Sequence, residues 1–202
     1  MTAAASAPSA HPRPPALDVY DQRAFGFWLY LMSDAIIFAL LFATYVVMVS
    51  NTDGGPTGKN LFSLPHAFGE TLLLLFSSLT FGFATLAMKS GKKPSLLAWL
   101  LVTFVLGLGF VVMEAREFSR MVQLGAGPDR SGFLSAFFTL VGTHGLHVSF
   151  GLIGILLMAS QVAVKGLTMP VISRLSRLGL FWHFLDIVWV GIFSIVYLPG
   201  IL

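Results

Sequence analysis

Eight ionisable side chains lie within or beside long apolar stretches of this sequence: Asp34, Glu70, Glu114, Glu117, His144, His147, His183 and Asp186. A charge at the centre of a membrane-spanning helix costs about 2.5 to 3.5 kcal/mol, so such groups face a protein interior and pair with one another or mark a site. Three pairs stand at i, i+3 spacing, which puts both members on one helical face: Glu114 with Glu117, His144 with His147, and His183 with Asp186. Several chemistries suit these residue types. Histidines on facing helices can clamp a haem, and a histidine–carboxylate set can hold iron or copper. Asp34 and Asp186 could carry protons or a solute. The plainer reading is that the groups hydrogen-bond across helices and hold a bundle in register. The chain has no cysteine, which removes thiolate catalysis, iron–sulfur ligation and cysteine-bridged copper from its own repertoire. His11 and His66 fall in a leading tail and at a helix boundary, and neither is expected to be a ligand.

The elements that must position these residues follow from composition. Of 202 residues, 56% are hydrophobic and 10% charged, against about a quarter charged in a soluble globular chain. Five stretches are apolar over roughly the ~20 residues that span a bilayer as a helix: about 25–49, 66–88, 96–113, 133–164 and 178–198. The expected fold is therefore all-α, a polytopic five-helix transmembrane bundle, with the fourth span long enough to tilt or project. Residues 1–24 are rich in Ala and Pro without the apolar core of a secretory signal, and are expected to form a disordered cytoplasmic tail. The links, among them Gly54-Gly55-Pro56 and the segment holding Gly125, Gly127 and Pro128, are too short for domains, and no inverted repeat of the transporter kind is visible.

Basic residues divide unequally between alternate links. Arg13, Arg23, Lys89, Lys92, Lys93, Lys165, Arg174 and Arg177 fall on the side of the amino terminus, and Lys59, Arg116, Arg120 and Arg130 on the other. Cytoplasmic segments retain positive charge, so the amino terminus is expected inside and the carboxyl terminus outside. The basic residues form no stripe, which argues against nucleic acid. With that orientation, Asp34, His147, His183 and Asp186 are expected in one polar cluster in the inner half. Glu70 and Glu114 are expected toward the outer surface, near Arg116 and Arg130. Trp28, Trp99, Trp182 and Trp189 are expected at lipid-facing or interfacial positions, where indoles concentrate. Gly142, Gly145, Gly151 and Gly154 are expected to allow close helix approach.

The stretches FGFWLYLMSDAIIFALLFATYVV (25–47), GGPTGKNLF (54–62), ETLLLLFSS (70–78), GPDRSGFLSAFFTLVGTHGLHVSFG (127–151) and LFWHFLDIVWVGIFSIVYL (180–198) resemble subunit III of haem-copper terminal oxidases. Within that family they look most like the cytochrome o ubiquinol oxidase branch. The resemblance covers nearly everything after the tail. It implies a non-catalytic subunit of the bacterial inner membrane, beside a catalytic subunit I that holds haem and copper and alongside the other oxidase subunits. The complex would oxidise ubiquinol, reduce oxygen to water and pump protons. This chain would have no catalytic, cofactor or metal site of its own and would bind phospholipid in a cleft. By position, Asp34 matches the family's buried acid of that cleft, and Glu117-Phe118 matches an acid–aromatic pair in which Phe118 replaces a common Tyr. His144, His147, His183 and Asp186 match motif positions and are expected to be structural polar contacts. The larger family form has seven helices, and this chain lacks the first two. A cytochrome c oxidase subunit III, the related small subunit of some nitric oxide reductases, an independent haem or metal oxidoreductase and a transporter are the alternatives.

Overall fold

The computed structural model describes residues 15–201, and among these there is no strand. Helix α1 runs Pro15–Met48, the short α2 Gly58–Leu61, α3 Leu64–Lys89, α4 Lys93–Gln123, α5 Gly132–Lys165 and α6 Met169–Ile192. A π-helical turn, Phe193–Tyr197, continues α6 into the short α7, Leu198–Ile201. Five helical segments are long and apolar enough to cross a membrane: Gln22–Met48, Leu64–Lys89, Lys93–Gln123, Gly132–Lys165 and Met169–Gly200.

Local chemistry sets the helix starts. Pro65, Pro94 and Pro170 stand in the first turns of α3, α4 and α6, where a missing N–H breaks no ladder bond. The Ser131 hydroxyl caps α5 by accepting from the Leu134 amide at 3.2 Å. At the other end of α5, Gly166 takes φ +71°, which a residue with a Cβ adopts only at a cost.

Three helices outrun their expected ends. Residues 1–14 of the expected tail lie outside the described residues, and the chain is already helical from Pro15. α6 begins at Met169, ahead of the expected 178. α4 continues past 113 to Gln123, because Glu114, Glu117 and Met121 keep an inward helical spacing while Arg116, Ser119 and Arg120 point outward. These charges decorate a helix that goes on, and do not end it. α5, at 34 residues, is about 51 Å long at ~1.5 Å per residue, well beyond a hydrocarbon core of ~30 Å.

α3, α4, α5 and α6 close a ring in which each helix packs on the next and α6 returns to α3. α1 lies outside the ring against α5 and α6. Its other face carries Leu29, Met32, Ile36, Leu40 and Val47, all exposed. The ring interior is filled by Leu96, Leu100, Phe110, Phe137, Leu140, Val148 and Trp189. In lipid the hydrophobic effect gives no driving force between helices, so packing and interhelical hydrogen bonds decide this arrangement.

Candidate functional site

The buried polar groups sit on the seams between helices. At the α1–α5 seam, Asp34 Oδ2 lies 3.8 Å from His147 Nε2. His147 Nδ1 is 2.8 Å from the Thr143 carbonyl and must donate to it, since a carbonyl only accepts. Nε2 is thereby left facing Asp34 across the seam, too far for a direct hydrogen bond. Asp34 Oδ2 has no closer partner. Replacing Asp34 by Leu leaves His147 Nε2 facing hydrocarbon and should lower stability in detergent by about 0.6 to 1.7 kcal/mol. Asp34→Asn, which keeps a polar group facing Nε2, should cost less, and thermal melts of the two variants distinguish them.

At the α3–α6 seam, hydroxyls of α3 meet α6. Trp182 Nε1 donates to Ser77 Oγ at 3.1 Å, and Ser77 in turn donates to the Leu74 carbonyl at 2.8 Å. His183 Nδ1 pairs with Ser78 Oγ at 2.7 Å. Trp189 Nε1 donates to Thr71 Oγ1 at 3.1 Å, and Thr71 passes its own proton to Ala67 O at 2.8 Å. Thr80 and Thr103 link α3 to α4 at 2.8 Å. Asp186 is half-buried with Oδ1 unpartnered.

His144 is wholly buried and neither ring nitrogen has a partner. It stacks on Trp189 with centroids 5.3 Å apart, and meets Phe110 and Phe38 edge-on at 5.8 and 6.3 Å. Those three rings enclose the imidazole on both its face and its edges.

A third group of polar residues lies near one end of the ring. Glu70, Glu114 and Glu117 are all buried. Tyr197 donates to Glu117 Oε2 at 2.8 Å, and His66 Nε2 is 3.6 Å from Glu70 Oε1. The Glu114 carboxylate occupies the space over Gly145, and a Cβ there would collide with it.

These positions correct several expectations. The cluster expected from Asp34, His147, His183 and Asp186 is two separate contacts. His183 turns to α3, whereas Phe184, one residue on, turns to Phe38 of α1 at 6.3 Å. Trp182 and Trp189 are core residues, 2% and 0% exposed, because α3 offers each indole a hydroxyl; Trp28 and Trp99 do lie exposed. Arg130 sits beside Gly55 in the first link. His66, set aside in the sequence, stands among the acids. Gly145, Gly151 and Gly154 do permit close approach, with Gly151 and Gly107 together clearing the slot for the Trp182 ring. Gly107 carried no signal in the sequence beyond being small.

The motif residues thus divide their work. In THGLHV, Thr143 orients His147, His144 fills an aromatic box, Gly145 makes room for Glu114 and His147 meets Asp34. In WHFLD, Trp182 and His183 bond to neighbouring serines of α3, and Phe184 packs on α1. The hydroxyl partner of Glu117 comes from Tyr197, and Phe118 packs against Phe138 at 4.7 Å.

A multi-pass membrane bundle with several of its polar side chains paired across its own seams is the class of protein that this fold and site define. The chain belongs to the cytochrome c oxidase subunit III family, whose profile matches residues 16–201. It is 55% identical over 177 residues to the cytochrome bo(3) ubiquinol oxidase subunit 3 of Pseudomonas putida, covering 88% of this chain and 86% of that one. The protein of the same name from Pseudomonas aeruginosa is 52% identical over 192 residues, 95% and 92% of the two chains. The cytochrome c oxidase subunit 3 of Bacillus sp. (strain PS3) is 45% identical over 175 residues, 87% and 84% of the two.

Proposed function

We propose that this chain is the non-catalytic subunit III of a proton-pumping ubiquinol oxidase, one that oxidises ubiquinol and reduces oxygen to water. The observation that carries the reading is the use of the THGLHV and WHFLD side chains. They make seam contacts, and the most buried histidine is enclosed by three aromatic rings. Such a bundle supports a neighbour and has little with which to run redox chemistry itself, so haem and copper belong to the catalytic subunit I beside it. The exposed apolar face of α1 suits lipid or neighbouring oxidase subunits. The identities favour the ubiquinol over the cytochrome c branch. Oxygen uptake by the complex purified through this chain should be supported by ubiquinol and not by reduced cytochrome c; the reverse preference would assign it to the other branch.

Lipid binding has its own support. A groove of about 380 Å³ between α1, α5 and α6 is lined by Phe27, Tyr30, Leu157 and Phe181, with Arg174 and Arg177 among its polar residues. Apolar walls beside two guanidiniums suit an anionic phospholipid. Arg174→Gln with Arg177→Gln should reduce the anionic phospholipid that co-purifies, measured by mass spectrometry of the extracted lipids, and leave helix content unchanged.

The excess of Lys and Arg on the amino-terminal side supports an amino terminus in the cytoplasm of a bacterial inner membrane. Because the chain has no cysteine, single introduced thiols report cleanly. Thr57→Cys and Asp129→Cys should react with an impermeant maleimide in intact cells, and Lys92→Cys and Lys165→Cys, all four at exposed positions, only after lysis.

A further inference from the structure

His66 and Glu70 stand at i, i+4 on the first turns of α3, one above the other on a single face. Glu117 faces them from α4, and one ligand atom from each of the three residues lies within 4.8 Å of the other two. Glu70 is 0% exposed, and neither of its carboxylate oxygens has a hydrogen-bond partner. Its Oε1 nonetheless points at His66 Nε2, 3.6 Å away, too long for a hydrogen bond. A buried carboxylate with no donor among its neighbours, aimed at an imidazole and faced by a second acid, presents oxygen lone pairs to a common point.

We propose that His66, Glu70 and Glu117 form a divalent metal site whose donor set suits zinc. One imidazole and two carboxylates are donors that zinc accepts, and three is the number of protein ligands in zinc sites that keep a further position for water. The imidazole argues against calcium and magnesium, which take oxygen donors. Two carboxylates balance the charge of Zn²⁺, so the loaded site is neutral, which a site within a membrane bundle requires. Glu117 has the outer partner that metal-ligating carboxylates use, the Tyr197 hydroxyl at 2.8 Å on Oε2, leaving Oε1 for the ion. A pocket of about 120 Å³ lined by Ser63, His66, Glu117, Arg116, Arg120 and Met121 gives an entry path. The two arginines at its rim oppose a dication on the way in, so loading is slow, while the acids behind them hold it. Zinc has no redox chemistry of its own. Here it ties α3 to α4 and, through Tyr197, to the π turn that ends α6, independently of the oxidase reading.

The test uses the full chain with its native companions, purified through a histidine-free tag, incubated with Zn²⁺ and desalted. Elemental analysis should find one more zinc per chain in the wild type than in Glu70→Gln or His66→Ala, each of which removes one of the three ligands. X-ray absorption at the zinc edge of the wild type should show one imidazole and oxygen donors at about 2.0 to 2.2 Å, and this holds even if a variant fails to assemble. Equal zinc in all three proteins, no retained zinc in the wild type, or a shell with two or more imidazoles would overturn the proposal. In those cases Glu70 is neutralised by a proton.

Discussion

Trp189→Ala destabilises the bundle by about 3 to 5 kcal/mol, the range for deleting a fully buried large aromatic side chain. Trp189 is 0% exposed. It packs edge-on to Phe110 at 4.6 Å, stacks on His144 at 5.3 Å and meets Tyr197 at 6.0 Å. Its loss opens a cavity on which rings from α4, α5 and the π turn converge, and none of these helices can collapse into it without breaking another seam. The polar part of the loss is small, since Thr71 still donates to Ala67 O. Trp189→Phe should therefore recover most of the stability, forfeiting one interhelical hydrogen bond worth about 0.6 kcal/mol on average. Equilibrium unfolding in mixed micelles measures both. A change below about 1 kcal/mol for the alanine variant would show that Trp189 is not the centre of the core.

Gly145→Ala changes sign with its surroundings. In a helix interior alanine is favoured over glycine by about 0.8 to 1.0 kcal/mol, so the substitution would ordinarily stabilise. Here the new methyl would enter the space of both Glu114 carboxylate oxygens, and Glu114 is itself buried. Overpacking of this kind costs about 1 to 3 kcal/mol. With the acid truncated in a Glu114→Ala background, the collision is gone and Gly145→Ala becomes neutral or stabilising. A double-mutant cycle by thermal melting reads the difference directly. Equal effects in the two backgrounds would contradict the assignment of Gly145 as the clearance for Glu114.

The helices and the family were legible in the sequence because both signals are local. An apolar stretch of about 20 residues announces a span by its length alone, and THGLHV and WHFLD are contiguous words. What was not legible depends on pairing across the fold. Nothing near Trp182 or Trp189 in the sequence tells that Ser77 and Thr71, more than a hundred residues earlier, supply acceptors for their indoles; bulk preference alone sends tryptophan to the interface. The split between the Asp34–His147 pair and the His183–Ser78 pair likewise depends on which neighbour each face of α6 meets. The end of α4 differs from the sequence expectation for another reason: a helix that extends beyond the hydrocarbon, or buries its acids inside the ring, does not end where its charges begin, so Glu114 does not mark its exit. A residue at a helix boundary such as His66 carries no local signal of a neighbour, because Glu117 comes alongside only through α4.

Within the two motifs, His147, Trp182 and His183 are the side chains that hold α1 to α5 and α3 to α6, which accounts for much of the buried polarity without a substrate. The most direct measurement is an optical spectrum of this subunit after separation from the companions with which it co-purifies in mild detergent. The haem absorbance should remain with a larger companion subunit, and the separated chain should show no Soret band. A stoichiometric Soret band in this chain, or its isolation without any haem-bearing companion, would contradict the accessory role.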